Sequence, residues 1–318
     1  MSCIIEITSG EPVLMGSSLI GAVVCTLSKP TTIKAVSLQF YGEESTDSVG
    51  TGKQHTHGRC VVIDIEKSLL GSEKLFPKGE NRYPFTIDVP LRMPASFHAV
   101  HGGVAYYLKA AIKKPLKVIS VKKVIQVTRP IELGAYLPAL QIQFETSTDR
   151  TVRCCGWSRG KIILSAEVEK RLFVIGEKIL VHIDIINSSS LKVKHVFGRI
   201  MKKITIHFTH PRPHEMSYWE YVTKGTKFPG VGKHEEVAYP LYVEVPKNLH
   251  VPHIKYSNLF KISYQLQIIA KLSGFNTAMV LQLKIYIGHI PFDTSLKRWR
   301  TSFFDDKDDD VVSNFSTT

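Results

Sequence analysis

The sequence predicts an all-β chain of two tandem immunoglobulin-type sandwiches followed by a short tail, on three observations. Apolar and polar residues alternate with period two along nearly the whole chain, long helical periodicity is missing, and the second half loosely repeats the first. Such alternation belongs to strands with one buried and one wet face, which pair antiparallel in sandwiches.

In chain order, the alternating stretches fall at 33–41, 104–112, 162–168, 179–186, 196–208, 260–272 and 278–287. Val104, Tyr106, Leu108, Ala110 and Ile112 share one face of the second stretch, with Ala105, Tyr107, Lys109 and Lys113 on the other. Phe260, Ile262, Tyr264, Leu266, Ile268, Ala270 and Leu272 make a longer case. The segment HAVHGGVAYYLKAAIKKP (98–115) offers two histidines, a glycine pair and a lysine cluster, and reads as a loop feeding a strand. Gly102-Gly103 supplies the backbone freedom at that entrance. The repeat lays VLMGSSLIGAVV (13–24) over FVIGEKILVHID (173–184), so that Gly16 falls on Gly176, and IDVP later echoes in VEVP. The expected organisation is a first sandwich over 1–129, a linker over 130–152, a second sandwich over 153–290, and a basic-then-acidic, disordered tail over 291–318.

Hydrophobic residues make up 43% of the 318, enough for two cores. No run of 18 apolar residues occurs, and MSCIIEITSGEP lacks the basic flank of a secretory signal. Five cysteines, an odd number without framework spacing, read as reduced thiols of a cytosolic protein. The formal charge of +13 favours acidic partners.

No motif of nucleophilic, phosphate-binding or metal-assisted catalysis is present, so neither an enzyme nor a cofactor is expected. HTHGRC (His55, His57, Cys60) reads as a polar hairpin loop rather than a zinc site, lacking a second ligand pair at customary spacing. HPRPHE (His210, His214) reads as an irregular loop. The lysines carry more information. Lys109, Lys113, Lys114, Lys117, Lys122 and Lys123 crowd one strand pair and its turn, and Lys192, Lys194, Arg199 and Lys203 crowd a stretch of the second half. They form a solvated face or, by charge-assisted hydrogen bonds, a patch for phosphate groups or acidic lipid. Specific nucleic-acid binding is not expected, since no zinc finger or aromatic RNA-binding motif accompanies the charge. In the tail, SFFDDKD (Ser302, Phe303, Phe304, Asp305, Asp308) resembles the FFAT peptide that docks on the MSP domain of VAP proteins. Ser302 stands where an acid is usual, and a disordered solubilising tail is the competing reading.

GEPVLMGSSLIGAVV, IKAVSLQFYGE, YPFTIDVPLRMPASF and HGGVAYYLKA, followed by CCGWSRGKIILSAEVEKRLFVIGEKILVHIDIINSSSLKVKHV, YPLYVEVP and FKISYQLQI, carry a family resemblance in their order and spacing. The chain resembles the α-arrestins over roughly residues 3–290. The resemblance implies two seven-stranded sandwiches and a non-catalytic trafficking adaptor, cytoplasmic and peripheral at the plasma membrane and endosomes. It also implies membrane-protein cargo, such as receptors or transporters, and recruitment of HECT-type ubiquitin ligases through PPxY motifs. No PPxY occurs among the 318 residues, which leaves ligase recruitment open. A retromer-like coat subunit working in a stable complex is the alternative reading, and a hydrolase built on a β-sandwich a third.

Overall fold

Every alternating stretch named above becomes a strand. The computed structural model describes residues 1–49, 55–135, 138–154, 157–274 and 278–290. The first half carries β1 (Ser2–Ile7), β2 (Val13–Leu14), β3 (Ser18–Leu27), β4 (Thr31–Ile33), β5 (Ala35–Val49) and β6 (His55–Leu70). It continues with β7 (Lys74–Phe76), β8 (Gly79–Asp88), β9 (Phe97–Ala99), β10 (Gly102–Lys113), β11 (Val118–Ile125) and β12 (Val127–Thr128). The second half carries β13 (Phe144–Cys154), β14 (Trp157–Val168), β15 (Leu172–Val174), β16 (Lys178–Asn187) and β17 (Val193–Phe208). It ends with β18 (His214–Tyr221), β19 (Thr226–Val231), β20 (Glu235–Glu244), β21 (Phe260–Leu272) and β22 (Ala278–Gly288).

In the first half the sheets β1-β3-β8 and β11-β10-β5-β6 bury their apolar faces in one core. In the second, β13-β14-β16-β20 packs against β15-β22-β21-β17-β18, with β19 also on β17. The segment expected to be linker differs in its last part. Phe144–Cys154 pairs with β14, because Phe144, Thr146 and Thr148 are half-buried while Glu145, Ser147 and Asp149 face water. That alternation is hidden in the letters, since between Phe144 and Val152 the inner face carries Thr146, Thr148 and Arg150, as polar as the outer one. HTHGRC differs likewise. It is the start of β6, with His57 opposite Asp47 and Gly58 opposite Thr46, rather than a loop.

The internal repeat is physical. Gly16 and Gly176 both adopt left-handed backbone, with φ of 80° and 82°. Around each, the same three bonds recur. Ser17 N–H donates to Leu14 as Glu177 does to Val174; Gly16 donates to Val89 as Gly176 does to Val245; Val89 donates to Ser17 as Val245 does to Glu177. Each turn also leaves a parallel strand pair, β12 with β2 and β15 with β22. A side chain in the left-handed region costs about 1–2 kcal/mol. Gly16→Ala is expected to be the costlier change, because its Cβ would lie 2.6 Å from the Leu91 side chain, against 3.2 Å from flexible Lys247 at Gly176. Chemical denaturation of the two variants checks the order.

One strand serves both cores. On β17, Val196 and Ile200 point into the second core, while Ile204, Ile206 and Phe208, on the same side of the strand, point into the first. Leu259 and Phe260, entering β21, join the first core as well, and Phe260 meets Phe97 edge-on at 5.6 Å. Between the two apolar runs, Lys202 keeps its amine 2.9 Å from Glu220 and above the Phe97 ring at 5.6 Å. The N-terminal sandwich is therefore completed by residues more than 70 positions downstream of its last strand, β12.

Candidate interaction surface

The β10–β11 hairpin builds the cationic face. Pairing sets Lys109 directly opposite Lys122 on the exposed side, and beyond Lys109 comes Gln39 of β5. Like charges in register repel. Here Lys122 lies over the Tyr107 ring with its amine 3.5 Å from the centroid, a cation–π contact that offsets the repulsion. Gln39 is turned away, donating to Asp64 at 2.7 Å. Lys113 and Lys117 stand exposed where the hairpin turns, and Lys114 N–H closes the turn on the Lys117 carbonyl at 2.8 Å. Lys123 departs from the expected patch. Alternation sends it to the other side of the strand, where it ion-pairs with Glu11 at 3.1 Å.

The second lysine group is not one patch either. Lys194, Lys227 and Lys271 surround His195, whose pKa is lowered by partial burial and then by those three charges. Lys192 is next to this cluster, its N–H bonded to the Ser273 hydroxyl at 2.9 Å. Arg199 is committed elsewhere, donating to Gln267 at 3.0 Å and stacking over Tyr221 at 4.8 Å. Lys203 approaches the Trp219 ring at 5.8 Å. The structure thus splits ten expected residues into an exposed set on the first sandwich, a pair at the His195 cluster, and three side chains engaged with neighbours. The tail residues Ser302, Phe303, Phe304, Asp305 and Asp308 lie outside the described residues.

Sequence reasoning missed the junction between the sandwiches. Glu44 of β5 is fully buried. Its Oε2 accepts from Leu259 N–H at 2.7 Å, Asn258 N–H at 3.0 Å and the Ser257 hydroxyl at 3.1 Å. The carboxylate of one sandwich thereby holds the loop that enters β21 of the other. Burial raises its pKa, opposed by those donated hydrogen bonds. The available signal was parity: Glu44 continues the buried series Val36, Leu38, Phe40 and is followed by buried Thr46.

Beside it, the two histidine motifs meet. His57 and His210 exchange backbone hydrogen bonds at 3.1 and 3.0 Å, and their rings stack at 5.2 Å. An open cleft of about 530 Å³, lined by Cys60, His207, His214 and Asn258 among others, runs along this seam. Among the described residues, no three His, Cys, Asp or Glu side chains are grouped to hold a metal ion. Elsewhere, Cys3 and Cys25 are free thiols with sulfurs 2.7 Å apart, and burial pushes the Cys25 thiol up.

Comparison with known proteins agrees with this architecture. The family model described as Arrestin (or S-antigen), N-terminal domain, matches residues 8–134, and its C-terminal counterpart matches 158–292. "Arrestin domain-containing protein 1" of Rattus norvegicus is 25% identical over 195 residues, covering 60% of this chain and 44% of the relative. "Arrestin domain-containing protein 4" of Homo sapiens is 24% identical over 55% of this chain and 45% of the relative. "Arrestin domain-containing protein 5" of Bos taurus is 24% identical over 58% of each. The chain thus spans about half the length of the relatives it matches. With paired N- and C-terminal domains it belongs to the arrestin family, and it is homologous to the arrestin domain-containing proteins.

Proposed function

We propose that the chain is a non-catalytic adaptor that binds membrane-protein cargo and couples it to endocytic or endosomal trafficking, acting at the plasma membrane and endosomes. One observation carries this reading beyond family membership: a body joined across its two domains that displays the exposed Lys109–Lys122 pair, with Lys122 lying over the Tyr107 ring. Two lysines in register on neighbouring strands suit the phosphates or carboxylates of a receptor or transporter tail. Any ubiquitin ligase, of the HECT type or another, that binds these 318 residues would be held by contacts other than PPxY.

Affinity purification of the full chain and of a Lys109→Glu/Lys122→Glu variant from the native cell type, followed by mass spectrometry, tests the proposal. Receptors or transporters should co-purify with the wild type and fall several-fold with the variant. Recovery of no membrane protein by either form would overturn the adaptor reading. A HECT ligase in the same eluate would place the chain in the ubiquitin pathway, and a stoichiometric large assembly would favour a coat subunit instead.

A further inference from the structure

The distal end of the N-terminal sandwich combines exposed apolar side chains with a lysine collar, a pairing that the cargo proposal does not use. Leu116, at the turn of the β10–β11 hairpin, is completely exposed, and Val118, where β11 begins, is 58% exposed. The fold brings a second exposed leucine to the same end. Lys34 N–H donates to the Lys113 carbonyl at 2.7 Å, Ala35 pairs with Lys113, and Val36 pairs with Leu70, so the ends of β5, β6 and β10 coincide there. The short β4–β7 pair, which precedes β5 and follows β6, then presents Leu75 at 65% exposure. The same turn and strand ends carry Lys113, Lys114 and Lys117 on the hairpin, Lys34 between β4 and β5, and Lys74 at the start of β7, preceded by Glu73.

We infer that this end is a docking tip for an anionic lipid bilayer, with Leu116 entering the acyl boundary and the lysines meeting the headgroups. Charge and shape select the bilayer over a phosphorylated peptide. A peptide needs a groove or a strand edge, whereas Leu116 projects from a convex turn. A phosphate would gain from the lysines and nothing from Leu116. At a membrane surface both halves of the arrangement are used: apolar side chains partition into the interface, and basic residues are attracted to the negative leaflet. Lysine stems also lie along apolar surface while their amines stay in water. The tip goes beyond the cargo reading, because it acts on lipid whether or not cargo is present. It would set the adaptor end-on to the membrane.

Flotation of the full chain with vesicles of phosphatidylcholine alone, and of phosphatidylcholine with 30% phosphatidylserine, tests the tip. Binding is expected only to the anionic vesicles. Leu116→Ser leaves charge unaltered and disturbs no contact, and should weaken that binding about tenfold. Lys113→Glu/Lys114→Glu/Lys117→Glu should weaken it about a hundredfold or more, from about fivefold for each lysine near the surface. Circular dichroism and the melting temperature should be unchanged in Leu116→Ser. Equal binding by Leu116→Ser and wild type would overturn the docking tip. So would a multiply phosphorylated peptide that binds through the same lysines while the chain ignores anionic vesicles; that outcome would assign the end to protein. Failure here leaves the cargo purification untouched, so the two proposals fall separately.

Discussion

Glu44→Ala should destabilise the protein by about 3 kcal/mol, because it strips a buried acceptor from two backbone N–H groups and a hydroxyl at once. The loss should appear in denaturant melts and as faster proteolysis of the loop around Ser257–Leu259. Glu44→Gln should stay within about 1 kcal/mol of wild type, its amide oxygen taking the place of Oε2, which accepts all three bonds. The pH dependence separates the two effects. Burial raises the Glu44 pKa above the ordinary 4.5. The folded chain therefore holds this proton at pH values where the unfolded chain has released it. The group's contribution is largest below the ordinary value and is lost as pH rises through the raised one. Gln does not titrate, so Glu44→Gln should gain on wild type as pH climbs above the ordinary 4.5. If Glu44→Ala melts with wild type, the carboxylate is not what fastens the junction.

Phe260→Ala should cost about 3–5 kcal/mol, the range for truncating a buried aromatic, and should do so in the wrong half of the sequence. Phe260 is 1% exposed and packs with the first core, although it opens β21 of the second sandwich. Amide exchange should rise in β3, β8 and β10 as well as in β21. Exchange confined to β21 would mean that the first core stands without it.

The alternating strands were legible because one face is apolar and the other wet. Tyr106, for example, follows the period and lies buried, its hydroxyl donating to the Pro94 carbonyl at 2.6 Å. The 160-residue repeat was legible because the same left-handed glycine turn opens each sandwich. Polar strands were not. β13 and the start of β6 alternate between half-buried and exposed polar side chains, which composition does not separate from loop. The cationic surface was legible only as a count of lysines. Alternation turned Lys123 to Glu11, and aromatic rings engaged Arg199 and Lys203. The junction depends on tertiary contacts between residues 44 and 257–259, a separation no local pattern spans.

The way β17 and β21 complete the first core also sets a schedule for synthesis. Phe260 leaves the ribosome 126 residues after the N-terminal domain match ends at 134. At about 5–20 residues per second, that leaves the first sandwich waiting roughly 6–25 s with the ground under Ile204, Ile206, Phe208 and Phe260 uncovered. Closure of the N-terminal core is thus timed by translation of the C-terminal half, and until then the nascent chain should expose that apolar ground.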